Sequence, residues 1–157
     1  MSKPTEYVLG FGFDDAMERV LLIEKKKPDW QAGYLNGIGG KIEEADMSLF
    51  HAMTREFYEE CGLEVSFHDW SYLCAMNFRD VFSEQIDATV HILHVNLSGM
   101  FDRYRQCEDE IPTPVLVEDI ASYKVVNNLR WIVPMITDKE YVKHEACKIM
   151  ELTTTIP

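Results

Sequence analysis

The segment that constrains this chain most is residues 37–65, GIGGKIEEADMSLFHAMTREFYEECGLEV. Leu49, Ala52, Met53, Phe57 and Cys61 recur at intervals of three and four. That is the period of one buried stripe on an α-helix, and Gly62 is a natural stop for it. Asp46 or Ser48 is suited to cap the N-terminus. Away from the stripe the helix carries Arg55, Glu56, Glu59 and Glu60. Residues three and four apart share a helix face, so Glu56 neighbours both Glu59 and Glu60. Three carboxylates on one patch repel one another, and a single Arg55 cannot neutralise them. A solvated acidic face is one reading. A hard divalent cation held by clustered oxygens, Mg²⁺ or Mn²⁺, is the other. The loop just before the helix favours the cation. Its glycines allow close backbone approach to a ligand, and Glu43, Glu44 and Asp46 follow them.

The flanking sequence supplies strands for that helix to pack on. Residues 7–13 and 19–25 are rich in β-formers around a DD turn and read as a β-hairpin. Short strand pieces are expected at 34–38. Residues 70–78 and 86–96 suit an antiparallel pair. Residues 98–114 read as a long connection with one helical turn, 115–120 as a last short strand, and 127–141 as a final helix kinked at Pro134. No repeat, low-complexity tract or linker divides the 157 residues, so the expectation is one α+β domain over 1–157.

Charge and cysteine usage narrow the function classes. The net charge of −12 repels nucleic acid and anionic membranes at long range, and no basic patch offsets it. Neither a long nucleic acid nor a membrane is the expected partner, while a small-molecule anion is compatible with the charge where cations sit between it and the carboxylates; an acidic surface kept for solubility is the other reading. Cys61, Cys74, Cys107 and Cys147 make neither a CxxC pair nor a zinc spacing with histidine. The chain opens without a signal-peptide pattern, and its apolar runs are short of membrane-spanning length. A cytoplasmic protein with free thiols is expected.

The composite of Gly loop, acidic residues and R-E-x-x-E-E helix resembles the box of the Nudix hydrolases, G-x5-E-x7-R-E-U-x-E-E-x-G-U, where U is bulky and apolar. Gly40 matches the first glycine, and Arg55, Glu56, Phe57, Glu59, Glu60, Gly62 and Leu63 match the second half in register. The first half departs from the pattern. Gly40 to Arg55 is one residue longer, and Asp46 stands where the first Glu belongs. Asp46, Glu44 and Glu43 all remain candidates for the loop carboxylate. The resemblance implies a Nudix α/β/α sandwich with a mixed central sheet. It also implies a divalent-metal hydrolase of nucleoside diphosphates linked to another group. On that resemblance Glu59 and Glu60 are principal metal ligands, joined by the Gly40 carbonyl, and Glu56 is a ligand or orients water. Arg55 holds the carboxylates in place. Glu110 fits best the place where some members carry an acidic base outside the box, with Glu108 and Asp109 as rivals. Dimers are common in the family, which leaves a homodimer open.

Subfamily marks are mostly absent. No Pro lies about fifteen residues beyond the box, and no NADH-type or coenzyme A segment is present. Nucleoside triphosphates are left as the leading substrate class. WQAGYLNGIGGKIE resembles the corresponding region of the oxidised-purine triphosphatases of the family. That likeness makes Trp30 a base-stacking candidate and Asn36 a base-reading one. Where those relatives present an aspartate pair, this chain has Asn127 and Asn128, which puts specificity for oxidised guanine in doubt. The alternatives are a nucleotide sugar, a dinucleoside polyphosphate or a capped RNA end as substrate, or a non-catalytic nucleotide sensor.

Overall fold

The computed structural model describes residues 3–140 and 147–153. A mixed sheet is built around β1 (Thr5–Phe13). One edge of β1 runs parallel to β6 (Ala88–Asn96) over nine residue pairs. β5 (Ser71–Asp80) lies antiparallel beside β6, with a bulge between Tyr72 and Cys74. β8 (Cys147–Thr153) extends the sheet parallel to β5.

The other edge of β1 is divided. The expected hairpin partner, β2 (Arg19–Glu24), pairs with it only at Gly12↔Leu21 and Phe13↔Val20. Asp14 fastens the turn by accepting the Glu18 and Arg19 amides at 2.9 and 3.1 Å. Beyond the turn the strands part. β4 (Ile38–Lys41) takes the remaining edge of β1. β3 (Leu35–Asn36) and β7 (Ile111–Leu116) flank β2. The fork between β1 and β2 is what lets the glycine loop run across the middle of the molecule.

Each face of the sheet carries one helix. α1 (Leu49–Cys61) buries Ala52, Met53, Phe57 and Cys61 against Val8, Leu21, Ile38, Leu93 and Val95, as the stripe predicts. Ser48 caps it by accepting the His51 amide, and Gly62 ends it in the left-handed region at φ 73°, where a side chain is strained. α2 (Leu129–Thr137) covers the opposite face with Leu129, Ile132, Val133 and Ile136 over Phe11, Phe13, Leu22 and Ile92. This is the expected α/β/α sandwich with a mixed sheet.

Three expectations need correction. The last strand of the 98–120 region begins at Ile111, not at 115, and residues 117–122 are a 3-10 helix. Pro112 and Pro114 obscured the strand in the sequence. The Val117 amide bonds to the Glu18 carbonyl, so odd-numbered residues donate inward and both prolines face the outer edge, where a strand tolerates them. The final helix stops at Thr137, short of 141; Asp138–Glu140 lie outside it, and Tyr141 is outside the described residues. β8 had no counterpart in the sequence reading. The expected helical turn within 98–114 is present as a 3-10 turn at Phe101–Arg103.

Candidate active site

Arg55 is the hub of the acidic helix. Its Nε and one terminal nitrogen clasp Asp46 at 2.9 and 2.8 Å. The other terminal nitrogen donates to Glu56 at 2.7 Å and to Glu59 at 3.3 Å. The Lys41 carbonyl accepts a further bond at 3.2 Å. Among the three candidate loop carboxylates Asp46 is the one in hydrogen-bond contact with Arg55. Its side chain is nearly buried, whereas Glu43 is largely exposed and 3.9 Å from the guanidinium. Asp46 also accepts the Glu43 amide at 2.8 Å, which folds the loop over the helix start. Asp is one methylene shorter than Glu and the loop is one residue longer, so the two irregularities of the box compensate each other. Arg55 holds the Asp46 carboxyl below its usual range. A lysine has no planar fork. Arg55→Lys is expected to cost about 2 kcal/mol of stability, read as a fall in melting temperature, because a bidentate pair is left with one point charge.

Glu56 and Glu60 sit deeper. Glu56 packs on Gly40 so tightly that a Cβ there would lie 2.6 Å from its carboxylate carbon and from both oxygens. Burial pushes the Glu56 carboxyl up, against the pull of Arg55. Glu60 is 7% exposed, and its Oε2 is buried without a hydrogen-bond partner among the described residues. Burial, partly offset by Lys25 and reinforced by Glu110, Glu56 and Glu108, lifts its pKa to about 8. Glu59 stays half exposed. Among the described residues no three His, Cys, Asp or Glu side chains already form a metal-holding cluster. Arg55 draws Glu56 and Glu59 to itself while Glu60 is turned into the protein. The donor set nevertheless suits a hard divalent cation. It is all oxygen, and it includes a buried carboxylate oxygen that lacks a donor.

Glu110, the candidate base, is clasped by Lys25, whose Nζ is 2.9 and 2.8 Å from its two oxygens. Lys25 went unnoticed in the sequence, where it is one of three consecutive lysines. Glu108 contributes its backbone carbonyl to Gln106, and Asp109 only more distantly.

A cavity of about 830 Å³ opens on the α2 face of the sheet. Gly39 and Gly40 form part of its wall, beside the carboxylates. The four substrate candidates, Trp30, Asn36, Asn127 and Asn128, all line it. Trp30 is 68% exposed, so it is not packed into the domain. The Asn36 amide is already engaged, donating to Gln31 at 3.1 Å and accepting the Gly37 amide at 2.8 Å. Gln31, which the sequence analysis did not single out, therefore shares that position. Asn127 accepts a bond from Arg130 at 2.9 Å. Asn128 precedes α2 but makes no side-chain cap. Trp131 packs at the edge of the core under α2. Glu151, on β8, is the wall residue furthest from any sequence signal.

The Arg-braced helix carboxylates thus lie beside a glycine strand that forms part of a cavity wall, the arrangement expected of a phosphoanhydride hydrolase. Residues 3–128 match the NUDIX domain model, and the chain belongs to the Nudix family. With the helix half of the family's box complete, it is a Nudix pyrophosphohydrolase. Solved structures share the fold. A MutT Nudix hydrolase from Burkholderia pseudomallei matches with a TM-score of 0.67 at 19% identity, covering 87% of this chain and 100% of that one. A MutT from work on Aliivibrio salmonicida and Vibrio cholerae gives 0.63 at 22%, covering 85% and 97%. The Nudix domain of Shewanella oneidensis NrtR, complexed with ADP-ribose, gives 0.66 at 16%, covering 85% and 86%. No curated protein matches the chain. No helix among the described residues is long and apolar enough to cross a membrane.

Proposed function

We propose that the chain hydrolyses a nucleoside (deoxy)triphosphate to monophosphate and pyrophosphate with Mg²⁺ or Mn²⁺, a reaction suited to clearing unwanted nucleotides from the pool. One continuity supports the reading above the rest. The cavity runs from Gly39 and Gly40, beside the acidic helix, to an aromatic and amide-lined region at Trp30, Tyr34 and Asn128. Such a cleft has a place for phosphates at one end and for a base at the other.

Glu56, Glu59, Glu60 and the Gly40 carbonyl would hold the cation, which when bound offsets phosphate charge and lowers the pKa of a water. Arg55 keeps Glu56 and Glu59 on one side of the helix, which spares the site the cost of gathering them. Gly40 leaves the room that the Glu56 carboxylate occupies. Trp30 offers an exposed face on which a base can stack. Glu110 is the base that accepts a proton from the attacking water, and Lys25 orients it. Glu110→Gln is expected to lower kcat about 100-fold with little change in cation affinity. An unchanged kcat would remove Glu110 from the machinery.

The test of the function is a substrate panel. Purified protein with Mg²⁺ is offered canonical and oxidised (d)NTPs, ADP-ribose, nucleotide sugars and dinucleoside polyphosphates. Monophosphate and pyrophosphate are expected from the triphosphates, and no turnover of any triphosphate refutes the proposal. One observation favours a second reading, the hydrolysis of another nucleoside diphosphate linked to X. The fold match from Shewanella oneidensis holds ADP-ribose. Cleavage of ADP-ribose without cleavage of triphosphates selects it.

A further inference from the structure

The cavity wall contains a carboxyl group that the chemistry above does not use. Glu151 lies on β8 in register with Phe78 of β5, and both side chains line the cavity. It makes no hydrogen bond or ion pair among the described residues. Its neighbours in the wall include Met76, Phe78 and Val90, which offer it no donor. Burial raises its pKa, with no partner to oppose the shift. A partly buried carboxyl without a donor is costly unless a ligand supplies one.

The position of Glu151 says which part of a ligand it meets. Gly40 is on β4 and Glu151 on β8, at opposite ends of the order β4-β1-β6-β5-β8. Four strand spacings separate them, about 19 Å. Glu151 and Trp30 line the same cavity, so the base stacked on Trp30 is the part of a nucleotide that Glu151 can meet, while the phosphates stay at Gly40. A carboxylate would also repel phosphate. Asn128, on the wall made by the start of α2, also has a buried Oδ1 without a partner among the described residues, so the same cavity holds a second acceptor that lacks a donor.

We propose that Glu151 is a specificity-determining residue, whose carboxylate accepts the paired N–H donors of a guanine-type base edge. This inference rests on the nucleotide reading of the cleft and names its base class. A guanine edge offers N1–H and the exocyclic amine side by side, matching two carboxylate oxygens. Hypoxanthine offers N1–H alone. Adenine offers one donor beside an acceptor, which a carboxylate cannot satisfy.

The experiment compares wild type, Glu151→Gln and Glu151→Leu on GTP, ITP and ATP, reading both kcat/KM and calorimetric binding without turnover. Wild type is expected to favour GTP over ATP by roughly tenfold to a hundredfold, the discrimination of one bidentate pair. ITP should fall between them. Glu151→Leu should remove the preference, and Glu151→Gln, with one acceptor and one donor, should shift it towards ATP. Glu151→Gln is nearly isosteric, and a thermal melt verifies that it folds. Equal losses on all three nucleotides place the contact at the sugar and overturn the proposal, as does an unchanged ratio. Glu151-dependent binding of GTP without hydrolysis leaves the inference standing and sinks the triphosphatase reading. No binding of any of the three sinks both.

Discussion

Glu60→Gln will lower turnover by orders of magnitude and at the same time stabilise the protein in alkaline, metal-free buffer. The first effect follows from the loss of an anionic oxygen donor at the proposed cation site. The second follows from linkage. The Glu60 pKa is about 8 in the fold, against an ordinary glutamate value of 4.5. As pH rises between those values, the unfolded chain gives up a proton that the native state keeps. Stability therefore falls over that window, and the full penalty is present above pH 8. Glutamine never ionises, so the variant should gain up to a few kcal/mol over wild type at pH 9 and much less near pH 5. Melts across pH, with and without Mg²⁺, read both. Mg²⁺ should raise the wild-type melting temperature at pH 8 far more than that of the variant. Equal pH slopes in the two proteins would refute the assignment of a strained buried carboxylate. Near-wild-type activity in both Glu59→Gln and Glu60→Gln would refute the metal role.

The second large effect separates two adjacent glycines. At Gly39 an added Cβ would lie 1.9 Å from the Val8 carbonyl oxygen and 2.8 Å from its carbon. Those atoms are backbone, held in the β1–β4 ladder where Leu9 pairs with Gly39. Neither strand can yield without losing pairing, so Gly39→Ala should cost on the order of 3 kcal/mol, a fall in melting temperature of roughly 6–12 °C. At Gly40 the obstacle is the Glu56 carboxylate, the end of a side chain that can swing away. Gly40→Ala should therefore leave the fold largely intact while displacing Glu56, and the loss should appear in kcat. Equal effects of the two substitutions on stability would contradict this division.

The parts of the molecule that local chemistry specifies were legible in the sequence. The stripe of α1 needs only the 3.6-residue period, and the box glycines and glutamates advertise themselves by spacing. The role of Asp46 was not legible, because a one-residue insertion and a one-methylene contraction cancel only in three dimensions. The Lys25–Glu110 pair links residues 85 positions apart, and nothing local marks either partner. Trp30 and Asn128 could be placed at the cleft by likeness, but the engagement of Asn36 with Gln31 depends on the turn between them. β8 is an edge strand of modest apolar content, whose identity comes from the β5 ladder it joins. Glu151 inherits that obscurity, since an isolated acidic residue in such a strand looks like surface. β7 lies at Ile111–Leu116 and not at the expected 115–120, because a strand edge tolerates Pro112 and Pro114 where a central strand would not.

Those same prolines govern how copies of this molecule can meet. Of the outward-facing residues on β7, Pro112, Pro114 and Leu116, two carry no amide hydrogen. A strand laid against that border would find acceptors waiting and almost nothing to answer them. Self-association through this side cannot proceed by continuing the sheet from one copy into the next. A homodimer that continued the sheet would have to do so from another edge, and this flank keeps to itself.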